Sequence, residues 1–114
     1  MKVRLSSSKI RFRIDNEELD ALLAKKLVKT SVPVSNKSRL VFITKAYATQ
    51  KTLALKNKGH IFTLMVPAMA LSALQNNLSH SDKIEEVQSF KKGMDVKIVL
   101  EVDLHDPKRK ESRR

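Results

Sequence analysis

The sequence predicts an α+β fold of about eight strands and two helices, built as a ββαββ unit that occurs twice. Apolar and polar residues alternate over several short segments, which is typical of half-buried strands. A pattern of strand, turn, strand and capped helix runs from Val3 to Leu22 and again from Leu53 to Leu74. We therefore expect an antiparallel sheet, strongly curved or partly closed, with both helices packed against it and an approximate two-fold axis.

The first copy opens with a hairpin and continues into a well-signalled helix. Asp15 or Asn16 can cap this helix, and Asp15 and Glu18 have the spacing of a capping box. The residues that follow form one apolar stripe, made of Leu19, Leu22, Leu23 and Leu27. Further strand patterns occupy residues 27–34 and 39–45, with a turn at residues 35–38 between them.

The second copy repeats this order, with a helix that we expect to begin at Pro67 because the fixed φ of proline suits a first helical position. Its later strands are predicted at residues 83–90 and 95–104. A displacement of 52 residues superposes the two helices, whereas the first strands match best at 50. This difference predicts a turn that is longer by two residues in the second copy, at residues 57–59.

Length and composition indicate one domain over residues 1–106, followed by a basic tail at residues 107–114 that we expect to be disordered. Hydrophobic residues make up 41% of the chain and aromatic residues only 4%, so the core should be aliphatic. Cysteine is absent, which excludes disulfides, cysteine zinc sites and thiol nucleophiles. No signal-peptide pattern precedes the first strand, and the longest apolar stretch is too short to span a membrane. We expect a cytoplasmic protein with no membrane partner.

Positive charge is concentrated in the first half of the chain. The formal net charge is +11, and residues 1–57 hold 13 basic but only 4 acidic side chains. In the opening hairpin, basic residues alternate with apolar ones, so the basic residues should share one sheet face. The predicted anion-binding site therefore consists of Lys2, Arg4, Lys9, Arg11 and Arg13. Such a face suits nucleic acid or an acidic protein. The alternative is an ordinary solvated outer face.

Few residues suggest catalysis or metal binding. Asp103 and His105 fall on one face of the last predicted strand and, with His80 or Asp82, could form a weak metal site. Asp106 follows directly. The chain contains only two glycines, neither in a phosphate-binding loop, and no serine stands in a nucleophile elbow. The sequence therefore favours a protein that is not an enzyme and that has no cofactor and no resident metal.

Several segments resemble a family of small uncharacterised bacterial proteins. The opening Met1–Leu5, the strand Ile10–Ile14 and the following acidic helix start carry the resemblance, together with Val66–Pro67 and the closing segment Val99–Asp103. Proteins of that family tend to have a cysteine after the last strand and an acidic tail. Here Leu104 and His105 are followed by a basic tail. The resemblance implies no specific function.

These observations leave three functional hypotheses. The first is a non-enzymatic binding module that meets nucleic acid or another anionic partner through the basic hairpin face. The second is a protein-interaction or self-assembly domain, in which the positive face is incidental and a partner binds an exposed strand edge or the loop at Tyr47. The third, less favoured, is a small hydrolase or metal-binding protein. Homo-oligomerisation stays open.

Overall fold

The computed structural model describes residues 1–76 and 83–103, which contain eight strands and two helices. The predicted α+β class and the number of elements are confirmed. In chain order the elements are β1 (Lys2–Leu5), β2 (Lys9–Ile14), α1 (Asn16–Leu23), β3 (Val28–Pro33), β4 (Arg39–Tyr47), β5 (Ala54–Lys58), β6 (Ile61–Pro67), α2 (Ala68–Asn76), β7 (Lys83–Ser89) and β8 (Asp95–Val102).

Both ends of α1 are fixed by local hydrogen bonds. The Glu18 backbone N–H donates to the Asp15 carboxylate at 2.8 Å, and the Glu18 carboxylate accepts from the Asp15 backbone N–H at 3.0 Å, so the predicted capping box is present. At the other end Lys25 has a φ of 64°, and the Lys26 N–H donates to the Ala21 carbonyl at 2.9 Å. This is a Schellman motif with lysine at the left-handed position.

The strands form two four-stranded sheets, with orders β1-β2-β8-β7 and β3-β4-β6-β5, and these sheets are not closed into a barrel. The two outer pairs of each sheet are antiparallel, but the central pairs β2–β8 and β4–β6 are parallel. Two mixed sheets thus take the place of the expected antiparallel one. The reason is that each parallel pair joins strands that are not consecutive in the sequence, and local alternation carries no information about such partners.

A pseudo-two-fold axis relates the halves of the chain and exchanges the two sheets. Each sheet combines the first hairpin of one half with the second hairpin of the other half. The strand register agrees with this symmetry. Val3 lies opposite Phe12, and Leu55 lies opposite Leu64, so a displacement of 52 residues relates both strands of the first hairpin to those of its equivalent. The predicted displacement of 50 for the first strands is therefore wrong. It failed because β5 extends to Lys58, so that the turn consists only of residues 59–60.

The core lies between the inner sheet faces and beneath the helices. Helix α1 buries Leu19 and Leu22, and α2 buries the equivalent Leu71 and Leu74. Three aromatic rings meet where the sheets face each other: the centroid of Phe42 lies 6.2 Å from that of Phe12 and 5.4 Å from that of Phe62. The other buried core residues are aliphatic except for Thr44. Neither described helix has the length and apolar character that crossing a membrane requires.

Side chains, rather than a strand ladder, bridge the edges of the two sheets. On one side the Thr30 hydroxyl donates to the Met1 carbonyl at 3.1 Å, which joins β3 to the start of β1. On the other side the Gln88 amide forms two hydrogen bonds with the backbone of Leu55, which joins β7 to β5. The two edges are equivalent under the pseudo-two-fold axis, yet they are bridged by different side chains.

Candidate anion-binding face

The five cations predicted from the sequence point outward from one sheet. Phe12 and Ile14 of β2 are buried, so the alternating Lys9, Arg11 and Arg13 lie on the opposite surface. We call the outward surface of β1, β2, β8 and β7 the basic face. In the strand register Lys2 lies opposite Arg13 and Arg4 opposite Arg11. The hairpin therefore brings four of the five cations into directly opposed pairs, with Lys9 further along β2.

The second half of the chain adds charges of both signs to this face. Lys97 lies directly opposite Lys9, and Lys83 of the neighbouring strand also points outward. The same two strands contribute three carboxylates, those of Glu85, Asp95 and Glu101. Sequence reasoning missed these residues because they join the hairpin only through the parallel pairing of β2 with β8. Over the described strands the basic face holds seven cations and three carboxylates.

Glu101 engages two of the predicted arginines. Its Oε1 lies 3.0 Å from Arg13 Nε, where it accepts a hydrogen bond, and 3.6 Å from Arg11 Nε. The Glu101 side chain is 12% exposed, so the pairing is partly shielded from solvent. Arg11 Nε itself is buried and has no hydrogen-bond partner among the described residues. Part of the charge that the sequence assigned to an anionic partner is therefore balanced by the protein's own carboxylate.

Glu85 forms a second ion-pair cluster at the other side of the face. Its carboxylate oxygens lie 2.9 Å from Lys83 Nζ and 3.2 Å from Lys97 Nζ. The hydrogen bond from Lys83, followed by that from Lys97, holds the pKa of Glu85 below its ordinary value. Glu85 and Glu101 together thus engage the two lysines of β7 and β8 and two arginines of β2.

Three cations are left without such a partner. Within residues 1–76 and 83–103, no ion pair or hydrogen bond engages the side chain of Lys2, Arg4 or Lys9. An open depression of about 230 Å³ lies beside two of them, lined by Lys2, Val3, Arg4, Arg11 and Arg13. At ~30 Å³ for each water molecule, this space could hold a phosphate group with part of its hydration. The depression coincides with four of the five predicted residues.

The centre of the basic face contains a buried aliphatic residue. Val99 lies opposite Arg11 and Glu85 in the register and points outward, but it is only 1% exposed. The side chains around it on this face must therefore cover it, as the methylene stems of arginine and lysine commonly do.

The outward surface of the other sheet differs in chemistry. None of its four strands contains an acidic residue, and five cations surround its centre: Lys29, Arg39, Lys45, Lys56 and Lys58. The centre is mainly aliphatic, with Val41, Ile43 and Met65 half-buried and Ile61 exposed. Lys45 Nζ lies 5.5 Å from the ring centroid of Tyr47, the tyrosine of the predicted loop, which the structure places in β4. We call this surface the aliphatic face.

Comparison of the two faces shows which cations the architecture does not require. Under the pseudo-two-fold axis, Lys9, Arg11 and Arg13 of β2 correspond to Ile61, Thr63 and Met65 of β6. The aliphatic face thus has two apolar residues and one neutral polar residue where the basic face has three cations. Because both sheets share one topology and register, the row of cations in β2 is a property of this sequence and not of the fold.

The remaining predicted site can be located only in part. Asp103 lies just beyond β8, and its backbone N–H donates to the Ile14 carbonyl at 2.9 Å. His80, Asp82, His105 and Asp106 lie outside the described residues, as does the basic tail. In the described ranges, no three histidine, aspartate or glutamate side chains come together as a metal site would require.

Fold and face together define a small α+β protein of two symmetry-related sheets, one of them with a basic outer surface. The chain belongs to DUF7009, a family of unknown function whose model matches residues 1–113. This membership agrees with the resemblance seen in the sequence to small uncharacterised proteins. No curated protein has a sequence that matches this chain.

Proposed function

We propose that this protein is a non-enzymatic binding module of the cytoplasm that holds nucleic acid on its basic face. The observation that carries this proposal is the row of three cations in β2 at positions where the equivalent strand has isoleucine, threonine and methionine. Like charges opposed across strands cost roughly 0.2–1 kcal/mol per pair. Glu101 balances part of this repulsion at Arg11 and Arg13, and an anionic partner would balance the rest of a row of cations that the fold does not require.

The proposed binding is largely independent of base sequence. Lys2, Arg4 and Lys9 would contact backbone phosphates, and each contact would release condensed counterions. The guanidinium groups of Arg11 and Arg13 can add hydrogen bonds that suit phosphate oxygens. No aromatic residue lies on the basic face, so base stacking would contribute little. The expected signature is an affinity that depends strongly on salt and weakly on sequence.

The decisive experiment compares two triple variants of equal charge. One replaces Lys2, Arg4 and Lys9 by alanine on the basic face, and the control replaces three cations of the aliphatic face, Lys29→Ala, Lys56→Ala and Lys58→Ala. Neither set has an ion-pair partner among the described residues, so both variants should keep the fold. The probe is fluorescently labelled random-sequence duplex DNA of about 20 base pairs, long enough for several phosphate contacts.

The salt dependence gives the expected magnitude. The basic face has seven cations and three carboxylates, so we expect it to neutralise about four phosphates. The slope of log K against log salt concentration would then be about −3.6, which lowers the affinity about 150-fold between about 50 and about 200 mM salt. The basic-face variant should reduce the slope to about −0.9, whereas the control should change it little. Equal losses in both variants would show that net charge alone causes the binding.

A third variant should strengthen DNA binding by the basic face. Glu101→Gln removes the carboxylate that pairs with Arg11 and Arg13 and so releases both guanidinium groups for phosphate. We expect tighter DNA binding and a salt slope more negative by about 0.9. Alanine at both Arg11 and Arg13 is a poorer test, because it would leave Glu101 without its two arginine partners and alter stability and binding together. If the Glu101→Gln variant bound DNA with unchanged affinity, the DNA would bind to a surface other than the basic face.

A further inference from the structure

The outer edge of β1 presents main-chain groups that β2 does not use. The Ser6 N–H donates to the Lys9 carbonyl at 2.9 Å, which fixes the alternation of the hairpin ladder. In an antiparallel pair, every second residue directs its N–H and C=O to the partner strand. Lys2 and Arg4 therefore bond to β2, whereas the N–H and C=O groups of Val3 and Leu5 point away, toward β3 of the other sheet.

An apolar groove separates this edge from β3. It has a volume of about 180 Å³ and is lined by Val3, Leu5, Thr30, Val32, Leu40 and Phe42. Leu5 is 57% exposed and Val32 is 43% exposed, although both are large apolar residues. The groove thus combines exposed hydrophobic side chains with main-chain donors and acceptors that are open on one side. This combination is typical of an edge that receives an added strand.

The equivalent position in the second half of the chain is already occupied. The pseudo-two-fold axis relates Val3 to Leu55, and it relates Val32 of β3 to Gln88 of β7. There the Gln88 Nε2 donates to the Leu55 carbonyl, and the Leu55 N–H donates to Gln88 Oε1, both at 2.8 Å. The planar side-chain amide of Gln88 thus pairs with the main-chain N–H and C=O groups that Leu55 presents at the edge of β5. The Val32 side chain has no amide, so among the described residues no such bridge forms at Val3, and the edge of β1 is joined to β3 only at its start, through Thr30 and the Met1 carbonyl.

We propose that the groove between β1 and β3 binds an extended peptide segment of another protein. The main chain of this segment pairs with β1 and forms two hydrogen bonds with the N–H and C=O of Val3. These bonds are equivalent to the two that the Gln88 side chain forms with Leu55 in the other half. Side chains of an extended strand alternate, so one set enters the apolar groove and the other set faces the side where Lys2 and Arg4 lie. The complementary partner therefore alternates apolar and acidic residues.

A second copy of this chain is a poorer occupant. If two β1 strands paired antiparallel across their edges, Lys2 and Arg4 of one copy would lie on the same face as those of the other. The opposed cations would repel each other. An acidic and apolar strand avoids this repulsion and gains ion pairs instead. The charge of the edge strand thus selects a different protein as partner.

The test uses synthetic peptides with the intact protein. The probe is a capped heptapeptide of alternating Glu and Val. One control peptide carries proline in place of the central Val, which removes a main-chain N–H, and another consists only of Glu. We expect the alternating peptide to bind and to shift the amide resonances of Val3 and Leu5. Both controls should bind at least about tenfold more weakly.

A variant of the protein tests the location. Val32→Gln places an amide where Gln88 stands in the other half, so it should bridge β1 and β3 and close the groove. We expect the affinity for the alternating peptide to fall about tenfold or more, with an unchanged or higher thermal midpoint. Val34→Gln is the matched control, since Val34 is exposed beyond β3 and does not line the groove.

Three outcomes would overturn the proposal: no binding of the alternating peptide at about 1 mM, equal binding of either control peptide, or equal affinity for wild type and Val32→Gln. Self-association of the protein that Val32→Gln abolishes would also overturn it, because the occupant would then be a second copy. Val32→Gln should leave DNA binding unchanged, since Val32 lies on the inner side of the other sheet, whereas the peptide would compete with DNA for Lys2 and Arg4.

Discussion

Replacement of Gln88 by alanine should measure how much the side-chain bridge between β5 and β7 stabilises the fold. The Gln88 amide makes two hydrogen bonds with Leu55, each 2.8 Å long. A neutral hydrogen bond of this kind contributes about 0.5–1.5 kcal/mol, a net value that already includes exchange with water and side-chain ordering. Both bonds are only partly buried, so water can replace the lost amide, and we expect a net loss of about 1–2 kcal/mol for the two together.

Thermal and urea unfolding, followed by circular dichroism, would detect this change. For a chain of 114 residues, 1 kcal/mol corresponds to about 5 °C, so the midpoint should fall by about 5–10 °C. Exchange of the Leu55 amide hydrogen should accelerate in the variant, because that N–H loses its acceptor. The matched control is Gln75→Ala on the exposed side of α2, where we expect a change of at most about 0.5 kcal/mol. If both variants lost the same stability, the bridge would have no stabilising role.

Three further variants test other parts of the structure. Lys25→Gly should raise the free energy of unfolding by about 0.5–1 kcal/mol in urea titrations, because glycine adopts the φ of 64° without steric cost; a loss of stability would contradict the Schellman assignment. In wild type the pKa of Glu85 is lower in the folded than in the unfolded chain, so its ion pairs stabilise the fold at pH values above the ordinary pKa of 4.5. This stability is lost as the pH falls through the folded-state pKa. The free energies of unfolding of wild type and Glu85→Gln should therefore differ near neutral pH and converge in acid. A constant difference at all pH values would exclude that linkage. Phe42→Ala should cost about 3–5 kcal/mol, measured by urea unfolding, because the ring lies between two other aromatic rings of the core; a cost below about 1 kcal/mol would be inconsistent with this packing.

Local features of the fold were predictable from the sequence. Asp15 and Glu18 form their capping box through hydrogen bonds that span three residues, so their spacing was sufficient evidence. The side of the sheet on which Arg11 and Arg13 lie followed from the alternation of a strand, which each residue obeys with its immediate neighbours. Predictions of this kind succeed because all of the interactions involved are close in sequence.

The pairing of strands was not predictable in the same way. Nothing within β2 indicates that β8, beyond both helices, lies parallel beside it. The ion pairs of Glu101 with Arg11 and Arg13 could therefore not be found from the sequence. The hydrogen bond between Arg13 and Glu101, for example, joins residues 88 positions apart. The charge of the predicted site was overestimated as a result. Hydrophobic alternation predicts which side chains face outward, but the strand register determines which charged side chains lie next to each other.

The error in the repeat alignment has a similar origin. Leu53 resembles Val3 chemically and was aligned with it, but Leu53 lies before β5 and is 2% exposed in the core. The residue that corresponds to Val3 is Leu55. Apolar side chains are interchangeable in such an alignment, so similarity alone cannot separate neighbouring registers of one strand. Hydrogen-bond partners resolve the ambiguity.

The exchange of hairpins between the sheets means that neither half of the chain contains a complete folding unit. A polypeptide ending near Gln50 would carry two hairpins and one helix, and each hairpin would lack the parallel neighbour that it has in the intact molecule. Such a fragment could bury its exposed strands only by intertwining with a twin of itself. The present chain thus has the arrangement of an intertwined dimer whose two halves are joined covalently.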